Sequence, residues 1–256
     1  MSDQDAAADT KLPLDERMQL IALRLLAASD GPSGALSLAA AFRQAGIDVA
    51  EATAGRYLRQ LDERGYTRSL GKRGRVLTPE GEDRLSALIR SSSLAGHGAR
   101  VTAAVAGHSL QQLIDLLHVR RAVEIEAAGL AAQRATAEEI DALLAAGRRH
   151  VDCVDTSESV PVAHGFHELV SRASHNEMLA VMTEMLLDPR HDPLAKLLDD
   201  IANDTGTTLS MALDHPRIAE AIRARDATAA EEAMRRHMDR ILAVVCGYRD
   251  TRQSGN

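Results

Sequence analysis

Histidines are the residues of this 256-residue chain whose type and spacing point most directly to chemistry. His164 and His167 lie three residues apart in the segment AHGFHELV, and His215 and His237 follow farther along the chain. Neutral imidazole nitrogens bind transition metals such as Zn or Ni, and three or four of them leave a coordination position open. Buried histidines also occur as ordinary core residues with hydrogen-bond partners. Residue types alone leave both interpretations open.

The helical pattern around His237 predicts that its ring points into a helical core. Ala230, Met234, Ile241 and Val244 recur with His237 on one face of a helix. A buried imidazole without a partner is costly. We therefore expect a metal ion, a water, another side chain or an anionic ligand to contact this ring.

The amino-acid composition indicates which kind of fold positions these histidines. Hydrophobic residues make up 45% of the chain but aromatic residues only 2%, so Ala, Leu, Ile, Val and Met must build the core. This mixture favours helices over strands. Cys153 and Cys246 are far apart, the N-terminus lacks the pattern of a signal peptide, and no apolar run approaches the roughly 18 residues of a membrane span. These features predict a cytoplasmic protein without a membrane segment.

A basic segment stands out in an otherwise acidic chain. The first 100 residues hold 14 of the 30 basic residues, and 53–78 contain seven basic residues against two acidic ones. Three short helical patterns, broken by GPSG and by Gly46 and Gly65, precede YTRSL-GKRG-RVLT, which predicts a two-stranded hairpin with a basic tip. This layout is typical of a winged helix-turn-helix, and its positive charge suits the phosphates of DNA.

The predicted fold is mainly α, with an N-terminal winged helix-turn-helix followed by an all-α antiparallel helical bundle. The predicted organisation is a disordered tail at 1–13, the DNA-binding domain at 14–92, a Ser, Gly and Ala-rich linker at 93–107, the helical domain at 108–248 and a tail at 249–256.

In a winged helix-turn-helix the third helix enters the major groove while the wing meets the backbone. On this layout Thr53, Arg56 and Tyr57 read bases or position the helix. The phosphate or minor-groove contacts are then Arg59, Lys72, Arg73 and Arg75. A basic face that contacts a protein, or only water, is the alternative.

Three stretches of the second half resemble the FCD ligand-binding domain of the FadR subgroup of GntR regulators. They are LLHVRRAVEIEAAGLAAQRATAEEIDAL, FHELVSRASHNEML and DHPRIAEAIRARDATAAEEAMRRHMDRI, and the likeness spans roughly residues 109–245. The winged helix looks like those that precede other bacterial regulatory domains, but it lacks the Ser-Arg-x-x-Val-Arg start of the usual GntR recognition helix.

The resemblance implies a site in the helical domain. His167, His215 and His237, separated by 48 and 22 residues, match the spacing of the family's metal histidines. The family's Asp ligand, four residues before the first of these, is replaced by Ala163, and the neighbouring His164 is the candidate substitute. The implied metal is a divalent transition ion, Zn or Ni, held more weakly without that carboxylate; metal-free core histidines that meet an effector directly are the alternative.

Two further residues are implied to bind the effector. Arg120 matches an arginine that clamps an effector carboxylate, although an i,i+4 pair with Glu124 is an alternative of nearly equal weight. Asn176 matches a pocket asparagine, although asparagine is also common at helix caps.

The resulting expectation is a ligand-responsive transcriptional regulator and not an enzyme. It would bind double-stranded operator DNA as a homodimer and take a small organic acid as effector. A metal-dependent helical-bundle enzyme with an accessory nucleic-acid-binding domain is the alternative. It is disfavoured because neither His-Glu-x-x-His nor a pair of Glu-x-x-His motifs occurs. A structural, chromatin-type binder would not need inward Arg and His residues.

Overall fold

The computed structural model describes residues 9–154, 156–187 and 193–254. The chain divides into two compact units, Met1–Val101 and Thr102–Asn256. The predicted fold class, mainly α with a winged helix-turn-helix and an all-α bundle, is confirmed. Within the described residues no helix is both long enough and apolar enough to span a membrane.

The first unit contains the helices and hairpin of a winged helix. Its elements are α1 (Leu14–Ala28), α2 (Ala35–Gln44), α3 (Glu51–Glu63), β1 (Thr67–Ser69), a 3₁₀ turn (Gly71–Arg73), β2 (Arg75–Leu77) and the start of α4 (Pro79–Val105).

Local signals set the ends of these elements. Helix α3 ends before Gly65, whose φ of +79° is a conformation that glycine adopts without strain. The hairpin is antiparallel, with Thr67 opposite Leu77. Thr78 caps α4, since its Oγ1 accepts a hydrogen bond of 3.0 Å from the Gly81 amide, as the sequence predicts.

Leucines and one aromatic pair hold this unit together. Leu20, Leu38 and Leu58 are fully buried. The rings of Phe42 and Tyr57 meet edge to face, with centroids 5.7 Å apart. This core fixes α3 against α1 and α2.

The described part of the predicted disordered tail, 9–13, is packed against the first unit. Residues 1–8 of it lie outside the described residues, whereas Leu12 belongs to the core and Asp9 is buried. The carboxylate of Asp9 accepts a hydrogen bond of 2.7 Å from Ser92 Oγ. One apolar and one acidic side chain therefore anchor a segment whose composition alone indicated disorder.

The Ser, Gly and Ala-rich segment 93–107 is helical as far as Val105, not an irregular linker. The predicted tail at 249–256 is likewise part of a helix as far as Ser254, and 255–256 lie outside the described residues. Neither stretch contains Pro, and isolated glycines cost a helix only about 1 kcal/mol each. The weak hydrophobic periodicity of these two stretches therefore did not mark where the helices end.

The second unit is built of helices alone in its described part. They are α5 (Leu110–Arg134), α6 (Ala137–Asp152), α7 (Ser159–Ala173), α8 (Glu177–Leu186), α9 (Pro193–Asp204), α10 (Thr208–Ala212), α11 (Asp214–Arg223) and α12 (Ala227–Ser254).

Helix α5 lies at the centre of this bundle. It packs along α12 and also contacts α7, α8 and α11. Its buried face carries small residues such as Ala127, Ala128 and Ala131, which allow close helix approach. The capping box predicted between Thr136 and Glu139 starts α6, and both of its hydrogen bonds are present.

Helix α6 approaches α11 at Gly147. A side chain at this position would bring its Cβ within 3.1 Å of the Pro216 nitrogen and 3.2 Å of the His215 carbonyl carbon. Glycine therefore lets the two backbones meet, and it brings the next turn of α6, which carries His150, beside His215.

Candidate functional site

Three of the four predicted histidines converge in the core of the helical unit. His167 on α7, His215 on α11 and His237 on α12 place one potential ligand atom each within 4.8 Å of one another. Their exposures are 3%, 1% and 2%. Three helices therefore build one compact imidazole cluster, which we call the His triad.

A buried ion pair backs His167. Arg120 Nε donates a 2.7 Å hydrogen bond to Glu124 Oε1, and Glu124 Oε2 lies 2.6 Å from His167 Nδ1. Burial alone would raise the pKa of Glu124, but Arg120 and His167 lower it well below its usual range. Glu124 is therefore ionised at neutral pH.

A second carboxylate backs His237. Asp214 Oδ2 lies 3.6 Å from His237 Nδ1 and accepts a 2.9 Å hydrogen bond from Arg240 Nε. Arg217 donates to the other oxygen at 2.9 Å. Although burial opposes ionisation, His237 and Arg240 lower the pKa of Asp214 to about 2.

His215 meets a histidine instead of a carboxylate. Its Nδ1 lies 2.9 Å from Nδ1 of His150, and the other nitrogen of His150 lies 3.4 Å from Ser159 Oγ. On its opposite side the His215 ring stacks on Phe166, with centroids 4.2 Å apart and planes within 10°. The ring therefore has one contact at its edge and one on a face.

Three imidazoles of this site, those of His150, His215 and His237, are neutral at physiological pH. Burial, followed by the charge of neighbouring rings, lowers the pKa of His150 to about 4 and that of His215 well below its ordinary value. Burial also lowers the pKa of His237 to about 4, against the opposing effect of Asp214. Neutral rings keep the lone pairs that a metal requires.

The donor set fits a divalent transition metal. Among the described side chains, both nitrogens of His237, Nδ1 of His167 and Oε2 of Glu124 are buried without a hydrogen bond of acceptable geometry. Unpartnered buried polar atoms are rare because desolvation costs about 1 to 3 kcal/mol each. A cation bound by the His triad would give one nitrogen of each ring a partner.

A cavity of about 80 Å³ adjoins the His triad. That space admits a few water molecules or a small anion. Polar side chains on its wall include Arg120, His164 and Asp199, and apolar ones include Val160 and Leu198. Imidazole, guanidinium and apolar groups thus surround one small chamber.

Ala163 and His164 both lie on the cavity wall. Burial, together with the positive charge of Arg120, lowers the pKa of His164 to about 3. The ring is not one of the three mutually close histidines that could hold a metal ion. Its replacement of the missing carboxylate ligand stays a prediction.

Arg120 pairs with Glu124 and also lines the cavity, and its contact with an effector carboxylate stays a prediction. Asn176 differs from the expected effector contact. Its Oδ1 accepts hydrogen bonds from the amides of Met178 and Leu179 at 3.1 and 3.4 Å, which makes it the N-cap of α8. It is absent from the cavity wall.

The sequence interpretation missed His150 and Asp214. His150 continues the buried face of Ile140, Leu143 and Gly147 on α6, so the same helical-face argument that was applied to His237 would have found it. Asp214 directly precedes a predicted ligand, but nothing in its local pattern signals burial.

Exposed basic groups mark the winged helix. Arg56 and Arg59 are exposed on α3, and Lys72 and Arg73 are exposed at the hairpin tip. Thr53 is half-buried, and its Oγ1 accepts a 3.1 Å hydrogen bond from Arg56. These five side chains are accessible for nucleic acid.

The structure gives Tyr57 and Arg75 other roles. Tyr57 is 8% exposed, and burial raises the pKa of its hydroxyl. It therefore positions α3, the second of its two predicted roles, and does not read bases. Arg75 is bonded at 2.8 Å to Asp62, so its charge joins the hairpin to α3 and is not free for phosphate.

The comparisons with known proteins divide at the same place as the two units. Residues 115–240 match the FCD domain, and residues 20–85 match the ribonuclease R winged-helix domain. The global nitrogen regulator NrpRI of Methanosarcina mazei is 39% identical over 74 residues, which cover 29% of this chain. The match spans only 23% of the length of that relative.

Two solved structures of similar extent are GntR of Streptococcus agalactiae and McbR/YncC of E. coli. The first has 20% identity, a TM-score of 0.43 and coverage of 90% of this chain and 100% of its own. The second has 14% identity, a TM-score of 0.47 and coverage of 97% and 99%.

The FCD match covers most of the helical unit, including Glu124 and the whole His triad. The resemblance of the second half of the chain to an FCD domain is confirmed, since residues 115–240 match that domain.

Proposed function

We propose that this protein is a ligand-responsive transcriptional regulator that binds operator DNA as a homodimer and senses a small organic acid through its FCD domain. One observation supports this most strongly. A buried His triad with unpartnered nitrogens opens onto a small cavity that also holds the guanidinium of Arg120. A buried polar cluster beside a cavity of that kind is suited to a ligand.

The DNA-binding part of the proposal rests on the exposed side chains of α3 and the hairpin. With α3 in the major groove, Arg56 and Thr53 face base edges. Arg59, Lys72 and Arg73 contact phosphates, where each adds affinity without sequence preference.

The metal part rests on the His triad. His167, His215 and His237 would hold a Zn²⁺ or Ni²⁺ ion, which supplies a Lewis-acidic attachment point for an effector oxygen. Carboxylates of Glu124 and Asp214 lie 2.6 and 3.6 Å from Nδ1 of His167 and His237, on the side where partners of metal-binding histidines usually lie.

The charge of the site favours an anionic effector. Neutral imidazoles do not compensate a divalent cation, and Ala163 stands where a carboxylate would have done so. Arg120 already pairs with Glu124 through Nε, which orients the rest of its guanidinium on the cavity wall. A small carboxylate therefore meets both a cation and an arginine.

Regulation is proposed to work by a shift between two states of the dimer. An effector changes DNA affinity only if it binds the DNA-competent and incompetent states unequally. A homodimer suits a palindromic operator, because two recognition helices then meet two half-sites.

The test combines molar mass and DNA binding. Sedimentation at micromolar concentration should give twice the chain mass of 27.5 kDa. Fluorescence anisotropy should show tighter binding to DNA from upstream of its own gene than to a shuffled sequence at moderate salt. A strictly monomeric protein, or equal affinity for both DNAs, would contradict the proposal.

A further inference from the structure

The pair formed by His150 and His215 is the most unusual contact of the helical unit. The Nδ1 atoms of the two rings lie 2.9 Å apart, a hydrogen-bond distance at which only one proton can be shared. His150 is 5% exposed and Ser159 is 5% exposed, so this chain of polar groups is part of the core.

The packing around the pair shows that its geometry is built in. Gly147 lets α6 approach the backbone of α11, and Phe166 stacks on the far face of the His215 ring. His150 itself is outside the group of three mutually close ligands. It lies on the cavity wall, in contact with His215.

Two proton arrangements fit these distances. In the first, His215 donates from Nδ1 to His150, and His150 donates from Nε2 toward Ser159 Oγ. In the second, both donor roles are reversed and His215 carries its proton on Nε2. Only the first leaves Nε2 of His215 with a lone pair.

We propose that His150 is a positioning residue that accepts the Nδ1 proton of His215 and thereby fixes His215 as the tautomer whose Nε2 is free to bind a metal. It lies beside Nδ1 of His215, as Glu124 and Asp214 lie beside Nδ1 of the other two rings. A neutral acceptor in this position adds no negative charge to the site, unlike the two carboxylates. The inference rests on the metal-binding part of the proposed function.

The direct test reads the tautomer without metal. Full-length protein labelled with ¹⁵N-histidine and treated with a chelator is examined by long-range ¹H-¹⁵N NMR, and the His215 signals are assigned by their loss in His215→Ala. Wild-type His215 should show a protonated Nδ1 and an unprotonated Nε2. A protonated Nε2 in the wild-type protein would overturn the proposal.

Two variants at the same position separate positioning from packing. His150→Asn retains an acceptor near the place of Nδ1, whereas His150→Leu fills the space without one. We expect His150→Asn to keep the wild-type tautomer and Zn²⁺ affinity. His150→Leu should show a mixed tautomer and bind Zn²⁺ about 10- to 100-fold more weakly, as for other partners of metal-binding histidines. His118→Asn, on the exposed side of α5, is the matched control.

The outcomes separate the two proposals. If the wild-type protein binds no Zn²⁺, both the metal site and this role of His150 are wrong. If it binds Zn²⁺ and His150→Leu, with an unchanged circular dichroism spectrum, alters neither tautomer nor affinity, only the role of His150 is wrong.

Discussion

Nε of Arg75 donates a hydrogen bond of 2.8 Å to Oδ2 of Asp62, which ties strand β2 of the hairpin to helix α3. Both side chains are less than one third exposed, and the same carboxylate accepts a 2.6 Å hydrogen bond from Thr67. The orientation of the hairpin relative to α3 is therefore set by one carboxylate. Basic residues nearby in sequence consequently differ in function.

Arg73→Ala and Arg75→Ala should have opposite signatures. Arg73 is exposed, so its loss should weaken binding to all DNA sequences alike and lower the salt-dependence slope by about one unit. The Arg73→Ala protein should keep the wild-type thermal stability. Arg75→Ala should instead destabilise the winged helix by about 1 to 3 kcal/mol, because the buried side of Asp62 loses a charged partner. Equal melting temperatures for the two variants would contradict this division.

Arg56→Ala should change sequence preference. The guanidinium is exposed on α3 and is braced by Thr53 Oγ1 at 3.1 Å. A side chain that reads a base edge contributes about 1 to 3 kcal/mol of discrimination. At the base pair that Arg56 reads, the Arg56→Ala protein should therefore bind the operator and its single-base variants with similar affinity. Arg59→Ala is the control, because loss of a phosphate contact should weaken all sites in parallel.

Ala163→Asp should strengthen metal binding. The residue lies one turn before His167 and lines the same cavity, so an added carboxylate would supply the negative charge that the neutral imidazoles lack. We expect Zn²⁺ affinity to rise at least about 10-fold, a change of about 1.4 kcal/mol. Ala163→Ser adds a similar small group without the charge and should have little effect. An unchanged affinity in Ala163→Asp would show that the ion does not sit beside this wall.

His164→Ala tests the substitute ligand expected from the sequence. If His164 coordinates the metal, Zn²⁺ affinity should fall by at least the roughly 10-fold contributed by an outer partner. Because His164 lies outside the His triad, we expect the decrease in Zn²⁺ affinity to be smaller than about 10-fold. Isothermal titration calorimetry distinguishes the two results.

Acid should destabilise the metal-free protein well before carboxylates are protonated. The pKa values of His150 and His237 are lowered to about 4 in the folded state, and the unfolded value is near 6.5. Between these values the unfolded chain binds more protons, so stability is complete above about pH 6.5 and declines as the pH falls toward 4. Urea unfolding with chelator present should give a lower midpoint at pH 5 than at pH 7. The same midpoint at both values would contradict burial of neutral rings.

Helical periodicity and capping residues predicted the two folds well because they are local. Thr78 and Thr136 cap helices where the sequence placed them, and the inward face of His237 followed from its neighbours. Partners across the bundle were harder to predict. His150 meets His215 because a glycine lets two helices touch, and no local pattern contains that contact.

Side-chain burial and ion pairing were the second limit on predicting the site from the sequence. Tyr57 and Arg75 both lie in a basic segment whose composition predicts DNA contact, but one fills the core and the other pairs with Asp62. Side-chain direction on α3 and the hairpin decides between these roles, and residue type does not.

The most direct measurement of linkage between the His triad and DNA affinity is a titration of operator DNA with the wild-type protein and with His237→Ala. Each titration is carried out with and without Zn²⁺ and a panel of small monocarboxylates. For the wild-type protein we predict that one carboxylate with Zn²⁺ changes the Kd for DNA at least about 10-fold, within the 1 to 3 kcal/mol typical of such coupling. His237→Ala should bind DNA with the unliganded affinity under all conditions. A wild-type Kd that stays constant across the panel, while elemental analysis shows bound metal, would contradict regulation through this site.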